Sequence, residues 1–401
     1  MNTLELITRI SISSPSKIIL LVLDGLGGLP SLETGKTELE TAITPNLDNL
    51  AARGVCGLSI PVGPGITPGS APGHLSLFGY DPVDYNIGRG VLEAVGVDFD
   101  LQPDDIAARG NFCTVDEKGL ISDRRAGRIP TEKNTELCQL LDGIVVDNVK
   151  VMVRSVKDHR FIVVFRGDGL SPEVTDSDPQ QVGLPPDSII ASSPADEKMA
   201  AIANQFVAQS KTALIKQRPA NMVLLRGFSR RPQFPSMAEI YKLKSAAIAS
   251  YPMYRGLARL VGMDILDTGT SIQDEFRTLT RSYGNYNFFF VHIKATDAAG
   301  EDGEFERKVR IIEEVDNALP ELVNLEPDVL VVTGDHSTPA LLKGHSWHPV
   351  PALLYSKYCR TDRIIEFSES ACIMGGLGQF PATHIMPLAM ANALKLNKFG
   401  A

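Results

Sequence analysis

Short apolar runs alternate along this chain with longer stretches of mixed character. Residues 17–23 (KIILLVL), 161–165 (FIVVF), 221–225 (NMVLL), 288–293 (FFFVHI), 328–333 (DVLVVT) and 351–355 (PALLY) have the length of strands. They lack the every-other-residue polarity of a half-exposed sheet, so they predict strands buried on both faces. Residues 44–54 (TPNLDNLAARG) predict a helix capped by Thr44, with Pro at its first position and Gly at its stop. Residues 193–209, 237–243, 305–319 and 384–396 predict further helices. Strands alternating with helices predict an α/β protein on a largely parallel sheet.

From about residue 98 to 235 the texture changes. Residues 105–116 and 120–123 flank a polar EKG turn, and residues 145–157 and 161–167 flank His-Arg; both read as hairpins. Residues 168–187, rich in Gly, Pro, Ser and Asp, read as a long surface loop. The expected organisation is one domain from residues 1–98 and 236–401, with a smaller α+β domain, 99–235, inserted between them. Residues 98–104 and 226–236 read as hinge linkers.

The 401 residues carry 39 Lys+Arg against 48 Asp+Glu, a net charge of −9. An acidic chain argues against general nucleic-acid binding, which needs a basic face. A local basic cluster is enough to hold a small anion. The five cysteines form no CxxC pair, and the first residues carry no charged-then-apolar leader. The longest early apolar run is too short to span a bilayer. A reduced, soluble, cytoplasmic protein without a membrane partner is the expectation; the oligomeric state is left open.

Predicted strand ends carry the candidate chemistry. Asp24 follows the first apolar run, at the edge where open α/β sheets bind ligands; an Asp-Gly pair is equally a turn former. Asp335 and His336 follow the run at 328–333, and His345 comes nine residues later. An Asp-His pair with a further His supplies mixed oxygen and nitrogen ligands for a divalent ion. Asp297 follows the run at 288–293, with Glu301 four residues on, one helical turn away. A solvated acidic loop is the plainer reading of that patch. Converging at one sheet edge, these residues could hold two divalent ions clamping a phosphoryl group. Ser70 lies in a Gly/Pro-rich turn (TPGSAPGH) before a short helix, a setting for a nucleophilic oxygen or merely for a cap. Residues 122–128 (SDRRAGR) place Asp123, Arg124, Arg125 and Arg128 in one turn, and guanidinium forks bind phosphate and carboxylate; a solvated basic turn is the alternative.

Together Asp24-Gly, PGSAPGH at 68–74, LFGYDP, IGRG at 87–90, ARGNF at 108–112, SDRRAGRIPTE, TGDHST at 333–338 and His345 with the following PVP resemble the cofactor-independent phosphoglycerate mutases of the archaeal type, in the alkaline phosphatase superfamily. The resemblance spans nearly the whole chain. It implies an alkaline-phosphatase-like fold with an inserted substrate domain. It also implies interconversion of 3-phosphoglycerate and 2-phosphoglycerate without a bisphosphoglycerate cofactor, through a phosphoserine.

Carried over by position, Ser70 is the nucleophile, and Asp24, Ser70, Asp335 and His336 hold one metal. Asp297 and His345 hold the other. Asp123 becomes an acid/base group, and Arg124, Arg125, Arg128 and Arg226 bind substrate. The chain departs from the family at Glu301, where a His is usual, and at Arg255, where a Lys near the nucleophile is usual. A carboxylate at 301 favours Mn2+ or Mg2+ over Zn2+. Arg255 keeps a positive charge for substrate but is harder to deprotonate than Lys. The competing readings are a metal-dependent phosphatase or phosphotransferase on another small phosphorylated metabolite, as in a homoserine-kinase-like sister activity, and a non-catalytic relative.

Overall fold

The computed structural model describes residues 3–85 and 87–400. Three runs form the centre of an eight-stranded sheet. Ile18–Leu23 lies between Phe288–Ile293 and Val329–Thr333, parallel to both, and all three are buried throughout. Burial on both faces explains why none shows alternating polarity. The order across the sheet is Asp264–Leu266, Ser245–Ala249, Phe288–Ile293, Ile18–Leu23, Val329–Thr333, Val350–Ser356, Val55–Ile60, Gly378–Pro381. Only Val350–Ser356 runs antiparallel to its neighbours, so the sheet is largely parallel, as the α/β alternation implies.

Register decides what the edge presents. Leu23 is opposite Ile293, and Val22 is opposite Thr333. The three strands therefore end at one level, and Asp24, Lys294 and Gly334 leave the sheet along one edge. On one face Ile19, Leu21, Phe289 and Val332 pack in a core with Phe276 of helix Ile272–Ser282 and Ile312 of helix Phe305–Val323.

The helix at 45–52 is capped differently from the sequence expectation. Thr44 makes no side-chain cap. Asp316, on helix Phe305–Val323, takes that place: its Oδ1 accepts from Leu47 N at 2.7 Å and its Oδ2 from Asn46 N at 3.3 Å. A carboxylate at a helix N-terminus also meets the positive end of the helix dipole.

Contacts divide the chain into two compact units, Met1–Asn86 with Phe234–Ala401, and Ile87–Gln233. The second is built on the long strand Ile106–Val115, which pairs antiparallel with Arg160–Arg166 and with Met222–Arg230. Val149–Lys157 and Arg160–Arg166 form one hairpin, and Ile121–Asp123 returns on Ile106–Val115. Helices Thr131–Leu141 and Glu197–Leu214 contribute Leu137, Leu141, Ile202 and Phe206 to its core. The unit begins earlier than residue 99 because helix Arg89–Gly96 packs on Ile106–Val115 and Met222–Arg230. Among the described residues no helix is long and apolar enough to cross a membrane, and all five cysteines are free.

One buried acid makes stability depend on pH. Glu275, on helix Ile272–Ser282, is 2% exposed. Burial pushes its carboxyl up to about 8 against the hydrogen bonds from Ser250. The folded state thus keeps a proton that the unfolded chain releases near its ordinary value of 4.5. Stability falls as pH rises from there to about 8 and levels off above. Glu275→Gln is expected to raise stability by on the order of 2–4 kcal/mol at pH 9 and by little at pH 5. Thermal unfolding at the two pH values measures it; an equal effect at both would contradict the assignment.

Candidate active site

Four segments of the first unit bring the site together. Asp24 follows strand Ile18–Leu23, and Asp335-His336 follow Val329–Thr333 by one residue. Asp297 and Glu301 lie on helix Ala295–Asp302, directly after Phe288–Ile293. Ser70 is the first residue of helix Ser70–Leu77, where unpaired backbone N–H groups and the helix dipole favour an anion. Two glycines permit the approach. Gly25 turns the chain at φ +65°, and a Cβ there would meet the Thr338 side chain. A Cβ on Gly73 would collide with the backbone oxygen of Asp335.

The hydrogen bonds fix which nitrogen of each imidazole is bare. The Thr338 hydroxyl donates to Asp297 Oδ1 at 2.6 Å, since a carboxylate only accepts. It therefore accepts from His336 Nδ1 at 3.0 Å, and the His336 lone pair is on Nε2. His345 Nδ1 donates to the Pro68 carbonyl at 2.9 Å, leaving its Nε2 bare as well. Burial holds His336 below the ordinary imidazole value despite Asp335 and Asp24, so the ring is neutral near pH 7.

The His336 lone pair faces two carboxylate oxygens and the Ser70 hydroxyl. His336 Nε2 stands 3.3 Å from Asp24 Oδ1, 3.1 Å from Asp335 Oδ2 and 3.3 Å from Ser70 Oγ. Asp24 Oδ1 and Asp335 Oδ2 are buried without a hydrogen-bond donor. His74 Nδ1 lies 3.0 Å from Asp335 Oδ2 but 2.8 Å from the Ser70 carbonyl. The N–H points to the closer carbonyl, and, against its burial, the charge of Asp335 raises the His74 imidazole above its ordinary value. Such crowding of anionic oxygens and lone pairs is unfavourable unless a cation lies among them. The separations suit one: ligands about 2.1 Å from a tetrahedral centre are about 3.4 Å apart. Asp24, Asp335 and His336 form one group with metal-ligand spacing, and Asp297, His336 and His345 form another. The donor set fits divalent ions.

Glu301 sits at the rim. Its side chain is 54% exposed, with Oε1 3.8 Å from His345 Nε2. His345 Nε2 is itself 3.6 Å from Asp297 Oδ1. Arg255 is held by Asp267 at 3.1 Å. The cation that does reach the cluster is Lys294, three residues before Asp297. The sequence reading missed Lys294, His74, His292 and Tyr254. His292 was legible as the one polar residue in a buried strand; it donates to Asp24 Oδ2 at 3.0 Å. Burial alone would raise the Asp24 carboxyl, but His292 and Lys294 outweigh it and hold it well below the usual carboxylate range.

The second unit carries a basic cluster, again only partly read from sequence. Arg109 is directly opposite Arg226 on adjacent strands, and Asn111, two residues along, is opposite Arg160. Like charges so paired repel. Burial, with Arg89, Arg160 and Arg226 nearby, holds the Arg109 guanidinium below its usual value in spite of Glu93. The Nε atoms of Arg109, Arg160 and Arg226 are buried without a hydrogen bond, while Arg226 pairs with Asp176 and Asp178 at 3.7 Å and Arg109 with Glu93 at 3.5 Å. Guanidinium groups so placed are suited to an anion. By contrast the Arg124 fork is already engaged by Asp178, at 2.9 and 2.7 Å. Both oxygens of Asp123 accept backbone N–H groups, from Arg125 at 2.8 Å and Gly127 at 2.6 Å. Arg125 and Arg128 are exposed.

A largely parallel α/β sheet whose carboxyl edge gathers carboxylates, bare imidazole nitrogens and a serine at a helix N-terminus defines an enzyme suited to phosphoryl transfer. The chain belongs to the family of 2,3-bisphosphoglycerate-independent phosphoglycerate mutases. The sequence model with that description matches residues 51–221. A Thermotoga maritima protein named "Probable 2,3-bisphosphoglycerate-independent phosphoglycerate mutase" is 50% identical over 399 residues, covering 99% of both chains. A Thermus thermophilus protein of the same name is 48% identical, covering 100% of both. The solved cofactor-independent phosphoglycerate mutase of Thermoplasma acidophilum is 32% identical with a TM-score of 0.77, covering 94% of this chain and 100% of that one. A Pyrococcus horikoshii structure is 30% identical with a TM-score of 0.82, covering 96% and 99%.

Proposed function

We propose that this chain interconverts 3-phosphoglycerate and 2-phosphoglycerate through a phosphoserine at Ser70. The observation that carries the reading is the meeting of Ser70 Oγ, Asp24 Oδ1 and Asp335 Oδ2 around the bare His336 Nε2, within 3.3 Å of it. Asp24, Asp335 and His336, with Ser70, would hold one divalent ion, and Asp297 with His345 the other, Glu301 standing beside it. Bound there, Mn2+ or Mg2+ supplies positive charge against the phosphoryl oxygens.

The chain's own groups do the rest. Ser70 Oγ attacks phosphorus; the Oγ–P bond forms, the glycerate C–O–P link breaks at phosphorus, and the Ser70 proton passes to the departing glycerate oxygen. The first turn of helix Ser70–Leu77 directs N–H groups at the phosphoryl oxygens. On the second unit, Arg109, Arg160 and Arg226 offer guanidinium groups of the kind that bind a carboxylate. The other hydroxyl of glycerate then attacks phosphoserine, giving its proton back to Ser70 Oγ as the Oγ–P bond breaks. Arg125 lies near the same cluster, around His159, and Arg128 is exposed on the turn that holds Arg125. Asp123 serves as acid or base only through the lone pairs its turn leaves free, and Arg124 contacts substrate only by releasing Asp178. Water must stay out while phosphoserine exists, or the enzyme becomes a phosphatase. A cytoplasmic location is supported by the free thiols.

The test is incubation with 3-phosphoglycerate and Mn2+, measuring 2-phosphoglycerate and inorganic phosphate separately. The expected result is 2-phosphoglycerate without added bisphosphoglycerate, with little free phosphate. Free phosphate alone would make the chain a phosphatase, and no product a non-catalytic relative.

A further inference from the structure

We propose that Lys294 is a built-in third cation of the site, which aims the metal-binding oxygens and holds metal affinity down. The inference rests on the reading of the two clusters as divalent-ion sites. The Lys294 ammonium donates to Asp24 Oδ2 at 3.3 Å and to Asp297 Oδ2. It thus takes one oxygen from a carboxylate of each cluster. The remaining oxygens are the ones turned to the imidazoles: Asp24 Oδ1 to His336 at 3.3 Å, and Asp297 Oδ1 to His345 at 3.6 Å. Each carboxylate therefore turns its other oxygen towards an ion; at Asp24 the ammonium shares that choice with His292, which donates to Oδ2 at 3.0 Å, and at Asp297 it takes Oδ2 while Thr338 donates to Oδ1.

The ammonium is fixed in place. It bonds the Tyr254 hydroxyl at 3.1 Å and lies 5.4 and 5.9 Å from the Tyr254 and Tyr251 ring centres. The Tyr254 hydroxyl is also within bonding reach of Ser70 and Asp24. Lys294 stands directly between the central strand Phe288–Ile293 and helix Ala295–Asp302. A fixed positive charge touching a ligand of each ion repels both ions, and it does so in a buried setting where screening is weak. Its compensation is order. Without it, Asp24 keeps the His292 donor at Oδ2 and Asp297 keeps the Thr338 donor at Oδ1, but the group that ties the two carboxylates together is gone until metal arrives. Lys294 is a positioning residue, acting through the two carboxylates.

Calorimetric titration of the full chain with Mn2+ separates this role from a merely structural one. Lys294→Met is expected to bind Mn2+ on the order of tenfold tighter than wild type, because the repelling charge is gone. Lys294→Gln, which keeps donors for Asp24 and Asp297 without the charge, is expected to tighten likewise, and it stands in if the Met variant does not fold. Lys294→Arg, with the charge retained, is expected to stay within about threefold of wild type. A salt bridge that only braced the fold would loosen the ligands on removal and weaken Mn2+ binding. Binding by the uncharged variants that is less than about threefold tighter, or weaker, overturns the proposal. Wild type that takes up no Mn2+ overturns instead the reading of the clusters as metal sites.

Discussion

Ser70→Ala is expected to lower conversion of 3-phosphoglycerate by at least about a thousandfold while the protein melts within about 2 °C of wild type. Ser70 is half-buried, and the contact its hydroxyl makes with His336 Nε2 is a long one, 3.3 Å. Its loss leaves no buried donor stranded. The helix it opens is held instead by its backbone: the Gly69 carbonyl accepts from Gly73 N at 3.1 Å, and the Ser70 carbonyl accepts from His74 Nδ1 at 2.8 Å. Alanine keeps both. What it removes is the oxygen that, in the proposed mechanism, carries the phosphoryl group between the two hydroxyls of glycerate. Substrate labelled in its phosphate should mark wild-type protein covalently and leave the variant unmarked. Normal turnover by Ser70→Ala would end the phosphoserine mechanism.

Asp335→Asn should separate function from stability. The Asp335 Oδ1 accepts from Gly25 N at 3.1 Å, and an Asn carbonyl keeps that bond. The other oxygen, 3.1 Å from His336 Nε2, is buried and bare. An amide N–H in its place donates to the imidazole lone pair and satisfies, without metal, what a cation would satisfy in wild type. The variant is expected to melt at or above the metal-free wild type. Activity should fall by roughly a thousandfold, and Mn2+ should no longer raise the melting temperature, as a ligand that binds only the folded state must. Removing one full charge from a three-donor group is also expected to weaken Mn2+ by about a hundredfold. A variant that Mn2+ still stabilises as it does wild type would remove Asp335 from the metal-binding set.

Much of the site was legible because strand ends are legible. Apolar runs closed by Asp24, by Asp335-His336 and by the segment holding Asp297 announce residues at the carboxyl edge of a parallel sheet, and the register puts all three at one level. The short strands Ser245–Ala249, Val55–Ile60 and Gly378–Pro381 were not legible. Their Ala, Ser, Gly and Pro residues give little hydrophobic contrast, and they are strands because the neighbouring strand supplies their hydrogen bonds. Residues 89–96, where no helix was read, were placed with the first domain, whereas helix Arg89–Gly96 belongs to the second unit. Periodicity shows that a segment has an apolar face but not which surface that face covers.

The sequence by itself determined the alternation that makes an α/β sheet, the inserted α+β stretch, the Gly/Pro-rich turn that carries Ser70 and the family. Each is carried by local order: runs, turns and motifs that hold wherever the segment lies. Only the tertiary structure decided which charge meets which. It turned Arg255 to Asp267 and brought Lys294 to Asp24, whose sequence separation is 270 residues. It also spent the Arg124 fork on Asp178 while leaving Arg109, Arg160 and Arg226 without a hydrogen bond at Nε. Coulomb energies depend on distance and burial, and neither is set until the strands have taken their register and the loops beyond them have closed.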